Sequence, residues 1–158
     1  MKKTITVECV AQTEAFGSAL ADALERSGIK RAFIALFGEM GVGKTAFTRG
    51  FAAHFGISCV KSPTYTVLNE YRGRVKIHHF DFYRITDGDD LYSIGYDDIV
   101  EDDGYSIGEW SENIVDFLPC DTVKVTIARA FTGDVSDKAA SVRNITVESD
   151  NLNFDLRI

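Results

Sequence analysis

The amino-acid sequence predicts a three-layer α/β domain with a mixed, mainly parallel sheet and one antiparallel hairpin. An apolar run of six residues, 32–37, ends at a glycine and is typical of a strand buried on both faces of a sheet. Helical patterns precede and follow this run, at 12–28 and 44–55. Two alternating segments, 66–71 and 75–80, are separated only by Arg-Gly-Arg and predict the hairpin. Helices on both sides of a buried strand indicate a sheet that is covered on both faces.

The other elements complete this layered arrangement. Residues 1–7 alternate as a strand, and Thr13 is predicted to cap the helix that follows. After an acidic helical stretch, residues 105–110 form another predicted strand. The C-terminal third is predicted to be rich in strands, with a polar loop at 132–141. Its strand signal comes from alternating apolar residues, namely Val123, Val125, Ile127, Ile145 and Val147.

Length and composition indicate one soluble globular domain over residues 1–158. The chain is 45% hydrophobic and 26% charged, which is ordinary for a globular protein. No apolar run approaches the roughly 20 residues needed to cross a bilayer, and the N-terminus lacks the apolar stretch of a signal peptide. The three cysteines are far apart and include no Cys-x-x-Cys pair, so neither a zinc site nor a disulfide is expected. These features predict a cytoplasmic protein without a membrane partner.

The net charge of −7 is concentrated in two acidic segments, 87–90 and 97–103. Such a surface repels a phosphate backbone, so tight binding to nucleic acid by this chain alone is not expected. A solvated face explains the acidic run most simply. A docking surface for a basic partner protein is the alternative.

An eight-residue motif follows the buried strand and opens the next helix. Residues 38–45 read Gly-Glu-Met-Gly-Val-Gly-Lys-Thr and match the P-loop pattern in full. Glycines let successive backbone N–H groups surround phosphate oxygens, and the helix N-terminus adds a favourable dipole. Lys44 is expected to bridge the β- and γ-phosphates, and Thr45 to ligate Mg²⁺. The sequence therefore predicts a P-loop NTPase-like fold that uses Mg-ATP, with nucleotide contacts from the whole motif: Gly38, Glu39, Met40, Gly41, Val42, Gly43, Lys44 and Thr45.

A P-loop also needs carboxylates at the ends of neighbouring strands to hold Mg²⁺ and orient water. Asp81 ends the second hairpin strand and Glu109 lies near the end of the 105–110 strand, where ligands collect in an α/β sheet. His78 and His79 could suggest a transition-metal site. Adjacent residues on a strand point to opposite faces, however, so joint chelation by these histidines is not expected.

Four motifs occur in the order seen in one protein family. They are the P-loop, Lys-Ser-Pro-Thr-Tyr-Thr at 61–66, His-Phe-Asp-Phe-Tyr-Arg at 79–84 and Glu-Trp-Ser-Glu at 109–112. Together they resemble TsaE, also called YjeE, the small bacterial ATPase of tRNA threonylcarbamoyladenosine (t6A) biosynthesis. The likeness spans residues 12–118, and the second and third motifs at this spacing make it specific.

The resemblance implies a role for each matching residue. Thr64 resembles a switch I threonine that senses the γ-phosphate, and Pro63 favours an extended backbone before it. Asp81 resembles the acid near the metal and the phosphates. Glu109 resembles the glutamate that assists Mg²⁺ and the attacking water. Trp110, a core aromatic by itself, resembles the family tryptophan whose surroundings change with nucleotide.

Two positions depart from the family pattern. The threonine that usually follows the P-loop threonine is Ala46 here, which removes a hydroxyl that could contact the α-phosphate and predicts weaker nucleotide binding. The bulky aliphatic residue that usually precedes the glutamate is Gly108. A glycine inside a strand indicates a bulge or a close backbone approach, either of which would affect the pose of Glu109.

Membership of this family would imply a function beyond hydrolysis. TsaE-type proteins act with TsaD, a threonylcarbamoyl transferase, and its partner TsaB, on N6 of adenosine 37 in tRNAs reading codons that begin with A. A separate enzyme makes the activated donor, so ATP hydrolysis by this chain would reset the complex between cycles. The acidic charge agrees with contact to tRNA only through the complex.

Two other functions remain open from the sequence. A small-molecule kinase is also built on a P-loop, but it needs an arginine-bearing lid, for which only Arg72, Arg74 and Arg84 are candidates. A nucleotide-sensing scaffold would bind ATP and barely hydrolyse it. A GTPase is disfavoured because the guanine-reading motif Asn-Lys-x-Asp is absent.

Overall fold

The computed structural model describes residues 1–64, 66–131 and 141–157, so the predicted loop at 132–141 lies, apart from Ser141, outside the described residues. The helices are α1 (Val10–Arg26), α2 (Lys44–His54), α3 (Gly88–Ser93) and α4 (Tyr96–Glu101), and a 3₁₀ segment spans Ser111–Phe117. The strands are β1 (Lys2–Val7), β2 (Arg31–Phe37), β3 (Leu68–Arg72), β4 (Lys76–Asp81), β5 (Gly104–Glu109), β6 (Thr122–Arg129) and β7 (Arg143–Glu148).

Over the described residues the seven strands form one sheet in the order β1-β7-β6-β2-β5-β4-β3. The four central strands β6, β2, β5 and β4 are parallel. Antiparallel pairs complete both edges, β3 with β4 on one side and β7 with β6 and β1 on the other. The prediction of a mixed, mainly parallel sheet with a hairpin is confirmed.

Two helical layers cover the sheet because β2 is apolar on both faces. Ile34 and Leu36 point to the core formed with α1 and α2. Phe33 and Ala35 point to the opposite core, which contains residues of α3, α4 and the 3₁₀ segment. This alternation explains why the central strand reads as a continuous apolar run.

Helices α1 and α2 touch through their backbones. A Cβ atom added to Gly50 in α2 would lie 1.8 Å from the carbonyl oxygen of Glu14, and one added to Gly17 would lie 2.3 Å from that of Phe47. Only glycine permits this approach, because side chains would keep the helix axes further apart. The contact fixes the start of α2 against α1, and the loop before α2 is positioned with it.

One helix boundary differs from the sequence prediction. Helix α1 begins at Val10 with Cys9 as its N-cap, so the prediction of Thr13 as the cap is wrong. The side chain of Gln12 accepts a hydrogen bond from the N–H of Glu8 at 2.7 Å, and Thr13 is buried in the first turn. Among the described residues, no helix combines the length and the apolar character that crossing a membrane requires.

Candidate nucleotide-binding site

A cleft of about 470 Å³ opens where the carboxyl ends of β2, β4 and β5 meet the start of α2. The register places Asp81, the last residue of β4, directly beside Glu109, the last residue of β5. Residues from the P-loop, the 62–64 segment and the strand ends line this cleft together. They are Val10, Met40, Gly41, Gly43, Lys44, Thr45, Ala46, Arg49, Ser62, Thr64, Asp81, Tyr83, Glu109 and Trp110.

The P-loop backbone leaves N–H groups available to a ligand. Gly41 and Gly43 have φ values of 76° and 117°, in the left-handed region that favours glycine. The N–H groups of Gly41, Gly43, Lys44 and Thr45 donate to no acceptor within the described ranges. Unpaired N–H groups at a helix N-terminus form an anion-binding site, so the loop suits phosphate oxygens.

The Lys44 side chain folds over the loop that precedes it. Its Nζ atom donates to the carbonyl oxygens of Gly38 at 2.5 Å and Glu39 at 2.8 Å. It also lies 4.4 Å from the centre of the Trp110 ring, a cation–π contact. Burial lowers the pKa of Lys44, and the nearby carboxylates of Glu109, Glu112 and Asp81 act in the opposite direction. The ammonium group is thus held against the P-loop.

Glu109 connects the P-loop with the end of the sheet. Its Oε1 atom accepts a hydrogen bond from the Thr45 hydroxyl at 3.0 Å and lies 2.9 Å from His79 Nε2. Asp81 and Glu109 are each only 5% exposed, and Asp81 Oδ1 accepts the backbone N–H of Tyr83 at 2.9 Å. Two carboxylates and a hydroxyl, all hard oxygen donors, therefore converge on one side of Lys44.

This donor set suits Mg²⁺. No group of three or more His, Cys, Asp or Glu side chains arranged as a metal cage occurs in the described residues. Mg²⁺ in phosphate-transfer sites is usually held by one or two carboxylates together with substrate phosphates and water. The hydroxyl of Thr45 and the carboxylates of Asp81 and Glu109 have the chemistry that such a site requires.

The segment before β3 brings Thr64 to the cleft. The hydroxyl groups of Ser62 and Thr64 lie 2.7 Å apart, and both side chains are exposed. Pro63 is buried and its carbonyl oxygen accepts the N–H groups of Thr66 and Val67, so the chain turns immediately after the proline. The two hydroxyl groups stand next to the P-loop on a segment anchored by Pro63.

Gly108 lies within regular strand pairing, so the bulge considered from the sequence is absent at this position. It pairs with Ala35 and Phe80 in register. An added Cβ would lie 2.5 Å from Phe82 Cε2 and 3.0 Å from Phe33 Cζ. The aromatic rings therefore occupy the volume that a larger side chain at position 108 would need. Close approach of side chains is the physical reason for this glycine.

Trp110 leaves the strand abruptly. Its φ of 58° is left-handed, which is rare for an aromatic residue and costs about 1–2 kcal/mol. The indole lies between Lys44 and Tyr83, whose ring centre is 5.1 Å away. Backbone strain of this kind is concentrated at functional sites.

Most of the predicted site residues meet in this cleft, but three P-loop residues do not line it. Gly38 and Glu39 hold Lys44 through their carbonyl oxygens, and Val42 is buried in the core. Sequence reasoning did not identify Arg49 or Tyr83, both of which line the cleft. Helical spacing from Thr45 could have indicated Arg49, because residues four apart share a helix face.

Sequence reasoning also did not identify His79 and Glu112, which form hydrogen bonds to residues of the site. His79 is two residues from Asp81 on β4 and therefore faces the same side of the sheet, a signal that the sequence contained. Glu112 accepts the backbone N–H of Gly38 at 2.8 Å from the 3₁₀ segment. That contact depends on how the chain turns after β5, which local sequence does not specify.

Comparison with known proteins identifies similar sequences. Residues 7–136 match the sequence model of a family described as threonylcarbamoyl adenosine biosynthesis protein TsaE. The tRNA threonylcarbamoyladenosine biosynthesis protein TsaE of Treponema pallidum is 33% identical over 116 residues, which cover 73% of this chain and 83% of that protein. The protein of the same name from Haemophilus influenzae is 38% identical over 115 residues, 71% of this chain and 73% of its own.

The fold also resembles a solved structure. The crystal structure of Bacillus subtilis YdiB superposes with a TM-score of 0.69 at 27% sequence identity. The match covers 93% of this chain and 84% of YdiB. The likeness therefore extends over most of both chains.

Proposed function

The chain belongs to the TsaE family of t6A biosynthesis proteins, and we propose that it binds and hydrolyses Mg-ATP in the cleft described above. The observation that supports this most strongly is the convergence of Lys44, Thr45, Asp81 and Glu109 at the free N-terminus of α2. Each of these groups suits one part of a metal-bound triphosphate.

Different residues of the cleft would bind the phosphates, the metal ion and the attacking water. The P-loop N–H groups and Lys44 would bind the phosphate oxygens, and Thr64 would approach the γ-phosphate from the 62–64 segment. Thr45, Asp81 and Glu109 would hold Mg²⁺, which neutralises phosphate charge when bound. Glu109 would also orient the attacking water. Positioning and charge stabilisation account for most of the catalysis in this type of reaction.

The partners that we propose are the TsaD and TsaB proteins, with tRNA contacted only through their complex. The net charge of −7 favours a protein partner over direct contact with a polyanion. ATP turnover would reset the transferase between cycles through ordering of the 62–64 segment, and the reaction would take place in the cytoplasm. Exposed Ser62 and Thr64 form the part of the cleft best suited to such a change.

Reconstitution of t6A synthesis tests this proposal. Purified TsaB, TsaD, substrate tRNA and threonylcarbamoyl-AMP would be incubated with wild-type chain or Lys44→Ala, and multiple-turnover t6A formation measured. We expect sustained turnover only with the wild-type chain and ATP. Equal turnover with Lys44→Ala would contradict a role for nucleotide in this cleft.

A small-molecule kinase receives less support from the arrangement of the arginines. Arg72 pairs with Glu70, and Arg74 pairs with Glu25, at the end of the hairpin opposite to Asp81. Neither arginine lines the cleft. Phosphate transfer from ATP to an added metabolite would favour the kinase. ATP binding without hydrolysis, in the presence of TsaB and TsaD, would favour a nucleotide sensor.

A further inference from the structure

A buried histidine contacts the carboxylate of Glu109 from outside the cleft. His79 is 0% exposed, and its Nε2 atom lies 2.9 Å from Glu109 Oε1. It is not among the residues that line the cleft, so a bound nucleotide would not touch it. Whatever His79 contributes to the site must pass through Glu109.

The direction of this hydrogen bond follows from its partners. An ionised carboxylate only accepts, so His79 donates its Nε2 proton, and Thr45 donates to the same oxygen. The other ring nitrogen, Nδ1, is buried and has no partner in the described part of the chain. Leaving a buried polar atom unpaired costs about 1–3 kcal/mol. A hydrocarbon side chain at position 79 would avoid that cost. The hydrogen bond to Glu109 is therefore the contact that accounts for an imidazole at this position.

The two donors together fix the pose of Glu109. Oε1 is occupied by Thr45 and His79, while Oε2 has no hydrogen-bond partner within the described ranges. A hydroxyl has two lone pairs besides its proton, so Thr45 can bind a metal ion and still donate to Oε1. Oε2 is then the oxygen that remains available to a ligand.

We propose that His79 is a positioning residue, which holds the Glu109 carboxylate in the orientation that binds Mg²⁺. This inference rests on the proposed Mg-ATP site and adds a residue to it. Groups that hydrogen-bond to a metal-binding carboxylate typically change metal affinity about 10–100-fold when removed. Removal of the His79 side chain should change metal affinity and not phosphate binding, because His79 does not line the cleft.

The neighbouring histidine offers a matched control. His78 is also buried, at 4% exposure, but points to the other face of β4 and lies 3.2 Å from Glu70. It has the same side chain, strand and depth of burial, without the contact to Glu109. A loss of packing in β4 should therefore affect variants at both positions.

Glutamine and asparagine at position 79 differ by one methylene and test the hydrogen bond directly. The amide nitrogen of glutamine can reach the position of Nε2, whereas that of asparagine stops near Nδ1. For His79→Gln, His79→Asn and His78→Asn we would measure thermal unfolding and the binding of ATP by calorimetry, with and without Mg²⁺. His79→Met, which fills the space without a donor, replaces any asparagine variant that does not fold.

We expect His79→Asn to weaken Mg²⁺-dependent ATP binding about 10–100-fold while metal-free ATP binding is unchanged. His79→Gln should restore most of the loss, and His78→Asn should match the wild type. Wild-type affinity in His79→Asn, or an equal loss in both variants at position 79, would overturn the inference.

A protein that binds no Mg-ATP in its wild-type form would contradict the proposed function instead. A crystal structure of His79→Asn without nucleotide would then show separately whether His79 positions the Glu109 carboxylate. We expect the Glu109 carboxylate to leave its 3.0 Å contact with Thr45 in that variant. An unmoved Glu109 would overturn the positioning role.

Discussion

Replacing Gly108 by alanine adds one carbon atom to the strand that carries Glu109. The new Cβ would lie 2.5 Å from Phe82 Cε2, well inside van der Waals contact. Overpacking of this kind costs about 1–3 kcal/mol, and the lower backbone entropy of the unfolded alanine chain offsets about 0.4–1 kcal/mol. We expect a net loss of roughly 1–2 kcal/mol in the free energy of unfolding, which lowers Tm by about 2–8 °C for a chain of this size.

A double-mutant cycle with Phe82→Leu tests the cause. Leucine lacks the ring atom that the new Cβ would meet first, so Gly108→Ala should cost less in that background, where only the contacts with Phe33 and Ser111 remain. Urea unfolding at unchanged m would give the four stabilities. An equal loss in both backgrounds would refute the explanation that the Phe82 ring requires glycine at 108.

Three further predictions concern binding, pH and helix packing. Lys44→Ala should weaken Mg-ATP binding by about 10–150-fold, the equivalent of one charged hydrogen bond of about 1.5–3 kcal/mol, as measured by calorimetry. Burial lowers the pKa of His78 and the Glu70 carboxylate opposes this, so the unfolded chain binds the proton more readily. The free energy of unfolding should therefore fall as pH drops below about 6.5. Urea titrations at pH 7.5 and 5.5 should show a smaller fall for His78→Gln than for the wild type, and an equal fall would exclude His78 as its cause. Gly50→Ala should lower Tm more than an alanine at exposed Arg49, because the added carbon meets the α1 backbone; equal Tm values would contradict the close contact.

Local sequence patterns were sufficient to predict the architecture. The apolar run of β2 and the alternation of β3 and β4 specify buried and half-buried strands through side-chain period alone. Ligands collect at the carboxyl ends of the strands in an α/β sheet, and this predicted that Asp81 and Glu109 lie near the P-loop. The register places the two residues side by side.

Other features depend on contacts between distant segments, which a single sequence does not encode locally. The need for Gly108 comes from Phe82 and Phe33, on two other segments of the chain. Glu112 reaches the P-loop only because the chain turns through a left-handed Trp110. The contact of His79 with Glu109 joins residues 30 positions apart on two parallel strands.

Release of γ-phosphate shows directly whether the chain hydrolyses ATP through Glu109. The wild-type chain and Glu109→Gln would be assayed alone and with TsaB and TsaD, with ATP binding measured in parallel. We expect stimulation by the pair, and a loss of about 10²-fold or more in Glu109→Gln at ATP concentrations that saturate both proteins. Equal phosphate release by the wild type and Glu109→Gln would contradict a role for Glu109 in ATP hydrolysis.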